Sequence, residues 1–295
     1  MSYFNYLYEN GLKVVCDKKV VFCGMVRDCA KELNHNITTI EKIGSYFSDY
    51  RIVIFENNSK DDTKLVLTRW MSNNKRVNAI VNDFDETKYQ QIPKDPSYYL
   101  YYCRRRIQKY VDYRNMYMEY LDQMDFESDY TVILDMDVDR IDVKGFITSF
   151  GNKLEWDVIT ANGYSTSPKL KRRYHDTYAL CEFGNENGKQ SVDDIIAYRD
   201  IFSKLKKGMP FIRVFSAYGG LAIYKSSSLL NARYSIIYNN YKGIEVRCEH
   251  YSLYKVLAER GFDKVYINPN MEIHYQKISQ KLLLKKIKDL YDGYK

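Results

Sequence analysis

Tyr130-Thr131-Val132-Ile133-Leu134 is an unbroken run of β-forming residues, and it ends in Asp135-Met136-Asp137-Val138-Asp139. A short run with no polar break is the pattern of a strand buried on both faces, as in a parallel sheet. In open α/β sheets, ligands gather beyond the carboxyl ends of such strands. Two carboxylates two residues apart, where the chain leaves the sheet, can converge on one divalent cation. Oxygen ligands favour Mg²⁺ or Mn²⁺. The plainer alternative is a solvated acidic turn.

The flanking sequence extends the same pattern. Val20 to Val26 is a second apolar run, followed by Arg27-Asp28 and a helical pattern over Cys29 to Phe47. Arg51 to Phe55 reads as a strand ending in Glu56-Asn57-Asn58-Ser59. A helix from Asp61-Asp62-Thr63 to Ser72 and a strand from Val77 to Val81 come next. This β-α-β-α-β order predicts an α/β protein with a parallel sheet and helices on its faces. Residues 1–19 read as a polar, Tyr-rich lead-in, and residues 83–98, with Pro93 and Pro96, as a loop. A helix is expected over 99–124, carrying Arg104-Arg105-Arg106 and Arg114-Asn115. Consecutive helix residues point about 100° apart, so at most one of the three arginines can face a site.

Beyond residue 140 the pattern loosens. Strands are expected at Trp156–Ala161, Phe211–Phe215, Gly220–Tyr224 and Val265–Ile267, and helices at Asp193–Leu205 and Glu249–Arg260. The whole chain of 295 residues reads as one domain, with a nucleotide-binding half over about 20–140 and a sugar and acceptor half over about 141–276. A basic amphipathic helix over 279–291 would lie on the domain or touch an anionic membrane surface.

The formal charge of +7 suits an anionic small molecule or lipid headgroups. No zinc-finger spacing, arginine tract or RNA-binding aromatic motif argues for nucleic acid. None of the six cysteines forms a CxxC pair, which speaks against zinc. With no signal-like segment and no apolar run of membrane-spanning length, the expectation is a cytoplasmic protein with reduced thiols, at most peripheral to a membrane.

Three motif classes share the D-x-D-x-D start. An EF-hand needs Gly at its sixth position and Glu at its twelfth; here they are Arg140 and Phe146. A dehalogenase-type phosphatase would place such a strand first in the chain and carry Thr or Val where Asp139 stands. The third class is the DxD motif of glycosyltransferases.

The layout resembles the GT-A glycosyltransferases over roughly residues 20–275. The resemblance is carried by the first strand, the ENNSKDDT stretch, Arg114-Asn115 in the helix before the DxD, and the DxD strand itself, all in that family's order. Asp176–Leu180, Tyr218–Lys225 and Cys248–Leu257 look most like the mannosyltransferase relatives of capsule-associated fungal proteins. The resemblance implies a metal-dependent enzyme moving a sugar from a UDP- or GDP-sugar to a glycan or lipid-linked acceptor. In that frame Asp137 binds Mn²⁺ or Mg²⁺, Asp135 binds the metal or the ribose, and His274 is the third ligand. Arg27, Glu56, Asn58, Arg114, Gly219 and Gly220 are donor-binding candidates, and Asp176 and Tyr218 are sugar or acceptor contacts. Glu249 is the general base if the transfer inverts configuration, with His250 as alternate; if it retains, Glu249 binds sugar hydroxyls. Two other readings stay open: a non-catalytic sugar- or nucleotide-binding protein of the same fold, and a Mg²⁺-dependent phosphohydrolase.

Overall fold

A computed structural model of the chain describes residues 1–167 and 171–275. The expected basic helix over 279–291 lies outside them.

The strands are β1 (Lys19–Val26), β2 (Asp49–Asn57), β3 (Val77–Asn82), β4 (Tyr130–Asp135), β5 (Arg140–Ile141), β6 (Val158–Thr166), β7 (Arg172–Tyr174), β8 (Cys181–Glu182), β9 (Ile212–Ser216), β10 (Leu221–Lys225), β11 (Tyr238–Tyr241), β12 (Ile244–Val246) and β13 (Val265–His274). The helices are α1 (Tyr3–Val15), α2 (Ala30–Gly44), α3 (Thr63–Asn73), α4 (Thr87–Gln90), α5 (Arg104–Gln123), α6 (Val143–Thr148), α7 (Val192–Ile201), α8 (Ser226–Leu229) and α9 (Glu249–Glu259). Among the described residues, eleven strands form one sheet in the order β3-β2-β1-β4-β10-β6-β13-β9-β8, with β5 paired to β13 and β7 to β6. β11 and β12 form a separate hairpin. The α/β fold class of the GT-A kind is the one expected from the sequence. Among the described residues no helix is long and apolar enough to cross a membrane.

Alternation along the parallel strands divides the core. Val20 and Phe22 of β1 face Leu33 and Ile40 of α2, whereas Val21 and Cys23 face Ile107 and Val111 of α5. Ile52 and Ile54 of β2 join the first cluster, and Val53 and Phe55 the second. Both faces are therefore covered by helices, which is why these strands read as continuous apolar runs.

The lead-in expected over residues 1–19 is instead mostly helix α1. Ser2 caps it by accepting a bond from the Asn5 amide at 3.2 Å. Its buried residues are Leu7, Gly11 and Val15, one per turn. That stripe is narrow and partly glycine, so it was hard to see among Tyr, Asn and Lys. Glycine is required at 11, because a Cβ there would lie 2.1 Å from the Ile147 carbonyl oxygen of α6. Between the strand expected at Trp156–Ala161 and the helix expected at Asp193–Leu205, the chain also forms the end of β6 and all of β7 and β8.

Strand order positions the site. β1, β2 and β4 run parallel, with Val26 beside Glu56 and Met25 beside Asp135. β10 pairs antiparallel with β4, so the turn before it lies against Asp135, whose amide donates to the Gly220 carbonyl at 2.8 Å. The far end of β13 delivers Tyr275 to the same place.

Candidate active site

A cavity of about 480 Å³ opens at the carboxyl ends of β1, β2 and β4. One wall is acidic: Asp135, Asp137, Asp176 and Glu249 line it. The same lining carries a basic wall, Arg27, Arg106 and Lys109 among Tyr101, Tyr110 and Tyr113.

Asp135 is gripped from two sides. Its Oδ1 accepts from the Tyr218 hydroxyl at 2.9 Å, and its Oδ2 from the Tyr275 hydroxyl at 2.6 Å. Burial, and then the charge of Asp137, push its carboxyl up to about 6, against the pull of Arg114 and the two phenols. Burial and the Asp135 charge raise both phenols well above their usual range, so they remain hydroxyl donors. Asp137 is exposed to the cavity. Desolvation by the surrounding protein, then the Glu32 charge, raise its carboxyl.

Arg114 and Glu249 form a buried ion pair. Arg114 Nε lies 3.0 Å from Glu249 Oε1, and an Arg114 guanidinium nitrogen donates to the Tyr117 hydroxyl at 3.2 Å. The Cys248 thiol points at Glu249 Oε2 at 3.4 Å. His250 stacks on Tyr218, with ring centroids 3.8 Å apart. Burial, then the Arg114 charge, keep His250 neutral, so its Nε2, 3.8 Å from Glu249, forms no ion pair. Asp176 is held at φ +61°. Burial, then Asp135 and Glu249, raise its carboxyl well above the ordinary range.

The basic wall is built differently. Glu86 binds Arg27 at 2.7 Å and Lys109 at 2.8 Å, and accepts from the Tyr113 hydroxyl at 2.9 Å. Of the three consecutive arginines only Arg106 lines the cavity, with its guanidinium 4.0 Å from the Tyr101 ring centroid. Arg105 donates to the Gln90 and Ile92 carbonyls instead, and Arg104 lies over Tyr238.

Residues 19–260 match the family described as Cryptococcal mannosyltransferase 1. The chain belongs to that family. It is a glycosyltransferase. No curated protein matches its sequence. Among solved structures, it resembles the mannosyltransferase PcManGT from Pyrobaculum calidifontis, in complex with GDP-Man and Mn²⁺, at 10% identity over 97% of this chain and 70% of that one, with a TM-score of 0.46. It also resembles mannosyl-3-phosphoglycerate synthase from Rubrobacter xylanophilus at 11% identity, covering 95% and 73% of the two chains, with a TM-score of 0.44.

In this glycosyltransferase the remaining expected residues fall into two groups. Arg27, Arg114, Asp176, Tyr218, Glu249 and His250 join Asp135 and Asp137 around the cavity. Glu56, Asn58, Gly219, Gly220 and His274 do not line it. Glu56 Oε1 accepts from the Ser59 amide at 2.8 Å. Asn58 clasps Phe84, donating to its carbonyl at 2.8 Å and accepting from its amide at 3.0 Å. Gly220, at φ +88°, makes room for Tyr275, since a Cβ there would lie 2.6 Å from the Tyr275 oxygen. Gly219 passes close to the Ala161 carbonyl. His274 Nδ1 meets Asp139 Oδ2 at 2.8 Å, and the ring stacks on Tyr164.

Sequence reasoning missed Tyr275, Lys109 and Asn57. Asn57 lines the cavity, and among the described residues its buried Nδ2 has no partner. Its place in a strand-end turn was the available signal. Tyr275 reaches Asp135 only through the pairing of β13 across the sheet, for which no local pattern exists.

Proposed function

We propose that the enzyme transfers a mannosyl group from a nucleoside diphosphate sugar to a hydroxyl of a glycan or lipid-linked acceptor, with a divalent cation at Asp135 and Asp137. The observation that carries this reading is the clamped Asp135 beside the open Asp137, in one cavity with three cationic side chains. Such a lining suits a donor that needs a cation on its diphosphate and fixed positive charge around it.

The donor atoms fit a hard cation. Among the described residues no group of three His, Cys, Asp or Glu side chains could hold a metal. Mg²⁺-type sites commonly use one or two carboxylates and let substrate phosphates and water complete the shell. When bound, the cation would stabilise the charge that grows on the leaving diphosphate.

The side chains then divide the work. Arg27, Arg106 and Lys109 would meet the phosphates, and Asn57 a hydroxyl or base of the nucleoside. In an inverting transfer Glu249 would take the acceptor hydroxyl proton as the new C1–O bond forms and the bond from C1 to the phosphate oxygen breaks. Arg114 fixes that carboxylate from behind. Asp176 would hydrogen-bond a sugar hydroxyl.

Calorimetry with GDP and UDP, each with and without Mn²⁺, tests the donor reading. One nucleotide should bind, and only with metal. Absence of nucleotide binding under every metal condition would overturn it, and rapid release of phosphate from an aryl phosphate would favour a phosphohydrolase.

A further inference from the structure

A second cavity, of about 290 Å³, adjoins the first. Tyr101, His175, Asp176 and Tyr178 line both, so one wall serves two compartments. Its lining also carries Arg173, from β7, and Arg199, from the last turn of α7. Among the described residues neither guanidinium makes a hydrogen bond, an ion pair or a ring contact. Their neighbour Arg172 behaves differently: it pairs with Glu272 at 2.9 Å and lies 3.7 Å from the Tyr164 ring centroid.

A helix C-terminus by itself accounts for an arginine such as Arg199. It does not account for Arg173, which comes from a strand and lines the same cavity. The charge of Arg199 also reaches into the compartment, where it acts on His175 and Tyr102. The rest of the lining is phenol rings, His175, Ile195 and the hydroxyls of Ser165 and Thr177, with Asp176 as the one carboxyl. Planar guanidinium groups bind phosphate and carboxylate with two parallel bonds, a geometry that a neutral hydroxyl cannot match.

We propose that this second cavity is the acceptor subsite and that it selects an acceptor bearing an anionic group, a phosphate ester or a carboxylate, held by Arg173 and Arg199. The inference rests on sugar transfer taking place in the first cavity. An acceptor anchored there would reach the donor across Asp176 and Tyr178.

Calorimetry of the full chain with mannose, mannose 6-phosphate and mannuronate tests it. These probes share a ring and differ in charge. One anionic sugar should bind at least about tenfold more tightly than mannose, and which one binds separates phosphate from carboxylate. Arg173→Gln and Arg199→Gln should each lose about tenfold of that affinity, as expected for a hydrogen bond to a charged group. Arg199→Lys, which keeps the charge without the planar fork, should recover part of it. Equal affinity for all three sugars, or unchanged anion affinity in the double Gln variant, would overturn the proposal. Mn²⁺-dependent nucleotide binding should be unchanged in these variants, because neither arginine lines the first cavity. A wild-type chain that binds the anionic sugar but no nucleotide would refute the donor reading and the acceptor role, while supporting anion selectivity in the second cavity.

Discussion

On one wall of the main cavity, Asp135 is gripped by phenols delivered from two distant strands, and Glu249 is locked to a buried arginine. On the other, Arg27 and Lys109 share a single glutamate that is itself partly open to water. In the first wall Asp135 stands at the end of β4 and Glu249 at the start of α9, each held by buried partners. The second reaches in from α5 and from the end of β1 on long side chains, held by pairs of a kind worth only about 0–1 kcal/mol. A rigid wall suits chemistry, where a small misplacement of a reacting group is costly. A compliant wall suits phosphates that arrive and leave in every cycle.

Breaking the rigid wall from behind should have the largest effect. Arg114→Met leaves Glu249 buried without its ion-pair partner, which should cost about 3–5 kcal/mol of stability in urea denaturation. Arg114→Met combined with Glu249→Gln should recover much of that loss. A double variant no more stable than the single one would mean that Arg114 is held mainly by its tyrosines, and that the wall is not organised around the pair.

Asp137→Ala attacks the same wall from the cavity side. Turnover should fall about 10²- to 10³-fold, comparable to losing one fixed group that stabilises developing charge. The melting temperature should hardly change, because this side chain is exposed. Stability and activity should thus separate at Asp137, whereas at Arg114 they should fall together.

Asp135 offers a smaller, pH-dependent test. Its folded-state carboxyl sits at about 6, above the ordinary 3.8. A group raised on folding contributes stability that is fully present below its unfolded value and is lost as pH rises through its folded value. Asp135→Asn should therefore stabilise the metal-free protein above pH 6 relative to wild type, with the advantage vanishing below 3.8. Metal affinity should show the opposite trend. Binding needs the carboxylate, so Mn²⁺ affinity in wild type should weaken as pH falls through about 6. Parallel stability curves for Asn and Asp across this range would show that Asp135 is not raised as its surroundings require.

The contrast between the walls also explains what could be read in the sequence. Asp135 and Asp137 were legible because strand period, apolar run and strand end are local signals, and the β-α-β order supplied the rest. Arg114 was found from its place in the helix before the DxD, but its partner lies 135 residues away, so its burial against Glu249 was not visible. Asn58 and Glu56 stood in the right turn, yet the backbone there uses both for its own bonding. Asn57, the residue between them, is the one that turns to the cavity, because neighbours on a strand point to opposite faces. Tyr275 and Lys109 depend on sheet order and on the rotation of α5, neither of which a single sequence encodes locally.

Lys109→Met should give the smallest effect, and it bears most directly on the compliant wall. The variant removes one cation from the cavity and one of the partners of Glu86. Arg27 and the Tyr113 hydroxyl remain on that carboxylate, so stability should move by no more than about 0.5 kcal/mol. Affinity for the nucleotide should drop only about three- to tenfold. Most of that loss should disappear at high salt, because a partly exposed charge is screened within about 10 Å at ordinary ionic strength. Calorimetric titration of nucleotide and Mn²⁺ at low and high salt reads both quantities. If Lys109→Met instead lowered turnover as far as Asp137→Ala does, with no dependence on salt, the basic wall would be as rigidly engaged in the reaction as the acidic one.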